Sequence, residues 1–140
     1  MTEIYLIRHA QAEGNRYHMM QGHWDGGVTA LGRRQIEELA ERFRDIPLDA
    51  VYASDLYRAR LTAGAAARWR GLPVRTDPAL REVNVGPWEG RFFGDLKWEN
   101  AESIRLFITD PEAWRLEGAE TCADVTGRAY PALESIARRH

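Results

Sequence analysis

The 140-residue chain is 44% hydrophobic and 29% charged, which is typical of a single globular domain with its own core. Its net charge of −2 argues against a dedicated binder of nucleic acid or acidic membranes, since both need a basic excess. The single cysteine cannot form an internal disulfide, and we expect a cytoplasmic protein. We expect neither a signal peptide nor a membrane span in the short, charged N-terminal run.

An apolar run at residues 4–7 predicts a buried strand, because it contains β-branched and aromatic residues and is too short for a helix. The run ends at Arg8 and His9. Ligands of open α/β sheets bind at the carboxyl ends of strands. Arginine suits phosphate or carboxylate, and histidine can act as a nucleophile, base or ligand. Taken alone, such a pair is far more often a surface turn than a functional site.

Residues 10–28 are rich in Gly, Gln, His and Asn and predict a long loop. His18 and His23 lack a third metal ligand at a convincing spacing, so we expect them to be surface residues. Thr29 is then the predicted N-cap of a helix over about 30–44. A second strand at 49–53 completes a parallel strand–helix–strand unit.

Ser54 or Asp55 is the predicted N-cap of the next helix, which extends to about Trp69 with Arg58 in its first turn. A cation there opposes the helix dipole unless an anion is near, so Arg58 either binds phosphate or is simply solvated. A third strand is predicted at 73–76. In the irregular segment after it, Glu82 or Glu89 is a candidate general acid if partly buried, and otherwise a solvated carboxylate.

Residues 91–117 predict one or two helices before Pro111, which we expect to form a cap or lid. The last predicted helix has Thr121 as its N-cap and a kink at Pro131. Its predicted buried face comprises Val125, Ala129, Leu133, Ile136 and Ala137.

Four segments in this order resemble the motifs of the histidine phosphatase superfamily, the group of phosphoglycerate mutase and its phosphatase relatives. They are LIRHAQ at 6–11 with Asn15, SDLYRA at 54–59, LRE at 80–82 with GPWEG at 86–90, and GAET at 118–121. The resemblance implies one α/β domain over residues 1–140. Its expected architecture has three α/β/α layers around a mostly parallel sheet.

The resemblance also implies roles for individual residues. His9 is the expected nucleophile and Glu82 the expected proton donor. Phosphate and substrate binding are expected at Arg8, Asn15, Gln21, Gly22 and Arg58. The implied activity is hydrolysis of a small phosphorylated metabolite through a phosphohistidine, without a metal or organic cofactor. A phosphoglycerate mutase-type transferase and a non-catalytic phosphate-binding module are the alternatives.

The sequence departs from the family pattern in three places. Ala10 replaces the usual Gly, and Leu61 stands where Gln is common. The family continues past the last helix into a central strand that ends in a second catalytic histidine, for which the terminal His140 is a poor substitute. We therefore expect an incomplete domain that is weakly active or inactive. Its open sheet edge is expected to favour pairing with a partner or as a homodimer.

Overall fold

The computed structural model describes residues 2–140 and has the predicted α/β fold class. Short 3₁₀ turns lie at Arg68–Arg70, Pro78–Leu80 and Gly86–Trp88. The helices and strands of the described range are α1 (Glu13–Arg16), α2 (Ala30–Arg42), β1 (Val51–Ala53), α3 (Tyr57–Ala67), β2 (Val74–Thr76), α4 (Phe93–Glu99), α5 (Ala101–Thr109) and α6 (Cys122–Arg139).

Strands β1 and β2 lie at the predicted second and third strands and form a small parallel sheet, whereas the predicted parallel pairing of residues 4–7 with 49–53 is absent from the described residues. Val51 lies opposite Val74, and Ala53 lies opposite Thr76. Helix α3 is the connection between the two strands and packs against both. This crossover places the start of α3 directly after the carboxyl end of β1, which is where a ligand is expected to bind.

The predicted buried strand at residues 4–7 is wrong. Ile4 is 49% exposed and Leu6 is 82% exposed, and residues 2–9 make no backbone–backbone hydrogen bond within the described chain. A strand exists only where its backbone groups are paired, and an open cavity of about 770 Å³ separates this segment from β1. Residues 4–7 therefore have the apolar pattern of a strand but form an extended segment that is not paired with a neighbouring strand.

Helix α2 begins as predicted. The Thr29 hydroxyl accepts a hydrogen bond from the Gly32 N–H at 3.0 Å. The apolar face of α2 packs against α3 and the end of the N-terminal segment. The buried residues of this first cluster are Ala10, Val28, Ile36, Ala40 and Ala65.

Helix α3 begins differently from the prediction, although Arg58 does lie in its first turn. The N-cap is Leu56, which cannot accept a hydrogen bond through its side chain, instead of Ser54 or Asp55. The carboxylate of Asp25 accepts a hydrogen bond from the Tyr57 N–H at 2.5 Å. A residue distant in sequence therefore satisfies the helix end and supplies the anion that the dipole favours there.

The segment over 10–28 is more ordered than a plain loop. It contains α1, and isolated antiparallel bridges join Ala12 to Val28 and Met19 to Phe92. Two helices, α4 and α5, precede Pro111 as predicted. They pack on the second cluster, whose buried residues are Met20, Val85, Trp88, Leu96, Ile104 and Trp114.

Helix α6 has the predicted N-cap. Thr121 and Asp124 form a reciprocal capping box, and the helix continues through Pro131. The predicted buried face is only half-buried, because Ala129, Leu133 and Ile136 line the open cavity beside β1. No helix within residues 2–140 is both long and apolar enough to cross a membrane.

A pair of glycine substitutions tests the packing of α2 on the N-terminal segment. A Cβ at Gly32 would lie 2.1 Å from the Gln11 carbonyl oxygen, whereas a Cβ at Gly64 meets nothing within 4 Å. We expect Gly32→Ala to lower the free energy of unfolding by about 1–3 kcal/mol. Gly64→Ala should raise it by about 0.4–1 kcal/mol through helix propensity. Urea unfolding measures both, and equal effects would contradict this packing.

Candidate active site

The position of His9 is fixed by its neighbour Ala10 and by helix α3. The Ala10 N–H donates to the Thr62 hydroxyl at 2.9 Å, and that hydroxyl donates to the Arg58 carbonyl oxygen at 2.8 Å. Thr62 is 4% exposed, so the relay is protected from water. The end of the N-terminal segment is thereby held against the first turns of α3.

One nitrogen of the His9 imidazole forms a hydrogen bond, and the other keeps its lone pair. Nδ1 lies 2.8 Å from the Ala10 carbonyl oxygen, which can only accept, so Nδ1 carries the proton. Nε2 then keeps its lone pair. Burial lowers the pKa of His9, and the charges of Arg58 and Arg8 lower it further, whereas the hydrogen bond to the Ala10 carbonyl and, less strongly, the charge of Glu82 oppose that shift. The ring is therefore neutral and has an available lone pair at neutral pH.

Arg58 is the most buried charged side chain of the site, at 2% exposure. Its Nη1 donates to the Trp24 carbonyl oxygen at 2.8 Å, and its Nη2 donates to the Gly22 carbonyl oxygen at 2.7 Å. Asp25 lies 3.7 Å from Nη1. Burial lowers the pKa of Arg58, and the nearby carboxylates of Asp25, Glu82 and Glu89 oppose that shift. The guanidinium remains charged, as arginine does in proteins.

Arg8 and Glu82 complete the group that the structure brings together. Both are exposed, and both line the cavity that also contains His9 and Arg58. The carboxylate of Glu82 accepts the Val83 N–H at 2.9 Å. Glu82 is thus not the partly buried carboxyl that the sequence argument required, but its charge acts on both His9 and Arg58.

The other predicted binding residues have structural contacts. The amide oxygen of Asn15 accepts the Ala12 N–H at 2.9 Å at the start of α1. Gln21 packs against Gly14, and its Oε1 is buried without a hydrogen-bond partner in the described chain. Gly22 contributes its carbonyl to Arg58 and lies outside the cavity lining. Asn15 and Gln21 are likewise absent from that lining.

Glu89 and His23 form a connection beside the site. The Glu89 carboxylate accepts the His23 N–H at 2.8 Å, and His23 Nε2 lies 2.8 Å from the Glu82 carbonyl oxygen.

The described residues contain no group of three or more His, Cys, Asp or Glu side chains placed to hold a metal ion. His140 lies at the edge of the cavity, where its ring contacts Tyr52 of β1.

Sequence reasoning missed several residues that organise the site. Asp25 caps α3, and Asp55 forms a two-point ion pair with Arg81. Arg128 of α6 binds the segment that carries Glu82. The only sequence signal for Arg128 is the Glu120 carboxylate two helical turns earlier, which is too common a spacing to single it out.

The arrangement has the chemistry of a dianion site with a nucleophile. Two guanidinium groups and a carboxyl group line the same cavity as a neutral imidazole, and their charges act on it. Arginine pairs bind tetrahedral oxyanions through several oxygens at once. A lone pair on Nε2 can then attack the central atom of that anion.

Comparison with known proteins places this geometry in context. The family model described as histidine phosphatase superfamily (branch 1) matches residues 4–140. "Probable phosphoglycerate mutase GpmB" of Yersinia enterocolitica is 35% identical over 135 residues, covering 96% of this chain and 63% of the relative. "Phosphoserine phosphatase 1" of Hydrogenobacter thermophilus is 30% identical over 140 residues, covering 100% of this chain and 66% of the relative. The chain spans just under two thirds of the length of these relatives.

Solved structures show the same likeness. YhfR of Bacillus stearothermophilus superimposes with a TM-score of 0.90 at 32% identity, covering 95% of this chain and 66% of that protein. The mycobacterial glucosyl-3-phosphoglycerate phosphatase in complex with VO3 gives a TM-score of 0.85 at 31% identity, covering 94% and 63%. The α/β fold class is therefore common to this chain and these structures.

The charges around His9 predict that two substitutions shift its pKa in opposite directions. Arg8→Gln removes a cation that disfavours the imidazolium, so the pKa of His9 should rise toward its ordinary value. Glu82→Gln removes an anion that favours the imidazolium, so the pKa should fall further. An NMR titration of the His9 ring measures both. Shifts in the same direction, or no shift in either variant, would contradict the geometry.

Proposed function

This chain belongs to the histidine phosphatase superfamily, and from that premise we propose that it hydrolyses the phosphomonoester of a small metabolite through a phosphohistidine at His9. One observation carries the proposal most directly. Nδ1 of His9 is engaged by the Ala10 carbonyl, which leaves Nε2 as a nucleophile beside the guanidinium groups of Arg8 and Arg58.

In the proposed first step, Arg8 and Arg58 bind the phosphate oxygens and Nε2 of His9 attacks phosphorus. The P–N bond forms as the bond from phosphorus to the leaving oxygen breaks. Glu82, in its protonated form, gives its proton to that oxygen, so the product leaves as an alcohol. Phosphoryl transfer depends mainly on positioning and charge stabilisation, and the two cations supply the charge.

In the second step, a water molecule attacks the phosphohistidine. The Glu82 carboxylate accepts a proton from this water as its oxygen bonds to phosphorus. The P–N bond breaks, its electron pair returns to Nε2, and inorganic phosphate is released. Glu82 and His9 are then in their starting protonation states, so the cycle balances without a metal ion.

The names of the relatives support phosphatase chemistry and also motivate a second candidate. One relative is named a phosphoserine phosphatase and a structural neighbour is named a glucosyl-3-phosphoglycerate phosphatase. The GpmB relative is named as a phosphoglycerate mutase, which favours return of the phosphoryl group to the substrate. Release of inorganic phosphate from 3-phosphoglycerate, against its conversion to the 2-isomer, separates these two reactions.

The nucleophile is tested with p-nitrophenyl phosphate and no added metal. We expect the chain to release p-nitrophenol slowly, because it lacks a second catalytic histidine, and His9→Ala to fall to the background rate. His18→Ala is the matched control, because His18 is an exposed histidine outside the cavity, and it should retain wild-type turnover. Equal turnover by the wild type and His9→Ala would sink the proposal. Phosphate binding without turnover, in a folded protein, would favour a non-catalytic phosphate-binding module.

The proton donor is tested by changing the leaving group. Glu82→Gln should lower the single-turnover rate of leaving-group release by about 100-fold or more on an alkyl phosphate, whose leaving alkoxide needs a proton. It should have little effect on p-nitrophenyl phosphate, because the nitrophenolate leaves without protonation. Single-turnover rates on both substrates measure this contrast. An equal loss on the two substrates would instead assign Glu82 a binding role.

A further inference from the structure

Arg128 on α6 uses every donor it has to bind Glu120 and the turn that carries Glu82. Nε and Nη2 donate to the two carboxylate oxygens of Glu120 at 2.7 and 2.8 Å. Nη1 donates to the carbonyl oxygens of Ala79 and Arg81, both at 2.8 Å, and Nη2 donates to that of Glu82 at 2.8 Å. These five bonds match the five N–H groups of a guanidinium. We call Arg128 and Glu120 the α6 clamp.

The clamp also fixes the chain on the other side of Glu82. The second Glu120 oxygen accepts the Asn84 N–H at 2.8 Å, and the Glu120 N–H donates to the Asn84 carbonyl at 2.8 Å. His23 Nε2 provides another contact to the Glu82 carbonyl. The backbone is therefore fixed at 79, 81 and 82 and again at 84, while the Glu82 side chain extends into the cavity.

The clamp is a well-matched ion pair and not a loose surface contact. Both side chains are about one-fifth exposed, at 21% and 23%. The Arg128 guanidinium holds the pKa of the Glu120 carboxyl below its usual range, with help from the Asn84 N–H. Bidentate pairs of this kind have a defined geometry as well as a favourable energy. Neither member lines the cavity, so neither is placed to touch a substrate.

We propose that the α6 clamp positions Glu82 for proton transfer to the leaving group, so that Arg128 and Glu120 control catalysis only through Glu82. The inference rests on the proposed function, in which Glu82 is the general acid. A carboxyl group displaced by about 1 Å transfers its proton much less efficiently, whereas substrate binding by Arg8 and Arg58 is untouched. The clamp should therefore affect kcat and leave KM nearly unchanged.

The test compares Arg128→Gln and Glu120→Gln with Arg138→Gln. Arg138 lies on the same helix, is 78% exposed and pairs with Glu134, so it controls for removing a charge from α6. We expect both clamp variants to lower the single-turnover rate of leaving-group release by about 10-fold on an alkyl phosphate and less than about 2-fold on p-nitrophenyl phosphate. Arg138→Gln should match the wild type on both. Glu120→Gln keeps the shape of the side chain, so it can test the clamp by itself if Arg128→Gln does not fold.

The decisive measurement repeats each clamp substitution in a Glu82→Gln background. If the clamp acts through Glu82, the double variants should be no slower than Glu82→Gln alone. Additive losses, equal losses on both substrates, or a rise in KM alone would overturn the inference and leave the proposed function standing. If the wild type turns over neither substrate, the proposed function itself has failed, and the positioning role fails with it.

Discussion

The buried guanidinium of Arg58 organises the site, because a charge at 2% exposure has to be compensated by the chain around it. The compensation comes from the segment after His9, through the carbonyl groups of Gly22 and Trp24 and the carboxylate of Asp25. That segment must therefore fold back over the start of α3. The same carboxylate caps α3, so one set of contacts fixes both the loop and the helix end.

Arg58 also binds the segment of chain that connects the two apolar clusters. The first cluster contains Ala10 and the helices α2 and α3, and the second contains Met20 together with residues that precede and form α4 and α5. The chain passes from one cluster to the other between Ala10 and Met20, and Arg58 binds it two residues beyond Met20. Apolar packing is not directional, whereas these hydrogen bonds set the position of the loop relative to α3.

Glu82 is held by a different set of polar contacts. Its turn is bound through backbone carbonyls by α6, and its neighbour Arg81 is bound by Asp55, which follows β1. The turn that carries Glu82 is thus held by two separate segments. Its exposed carboxylate is accessible to a ligand in the cavity while its backbone is constrained, which suits the proton transfer proposed for it.

The sequence by itself determined the elements whose signals are local. The caps at Thr29 and Thr121, the positions of β1 and β2, and the helices before Pro111 all follow from neighbouring residues. Tertiary structure alone decided the rest. Residues 4–7 have the composition of a strand but are unpaired, since pairing requires a neighbour that a local pattern cannot reveal. The contacts of Asp25 and Arg128 join residues more than thirty positions apart, so only the folded chain brings them together.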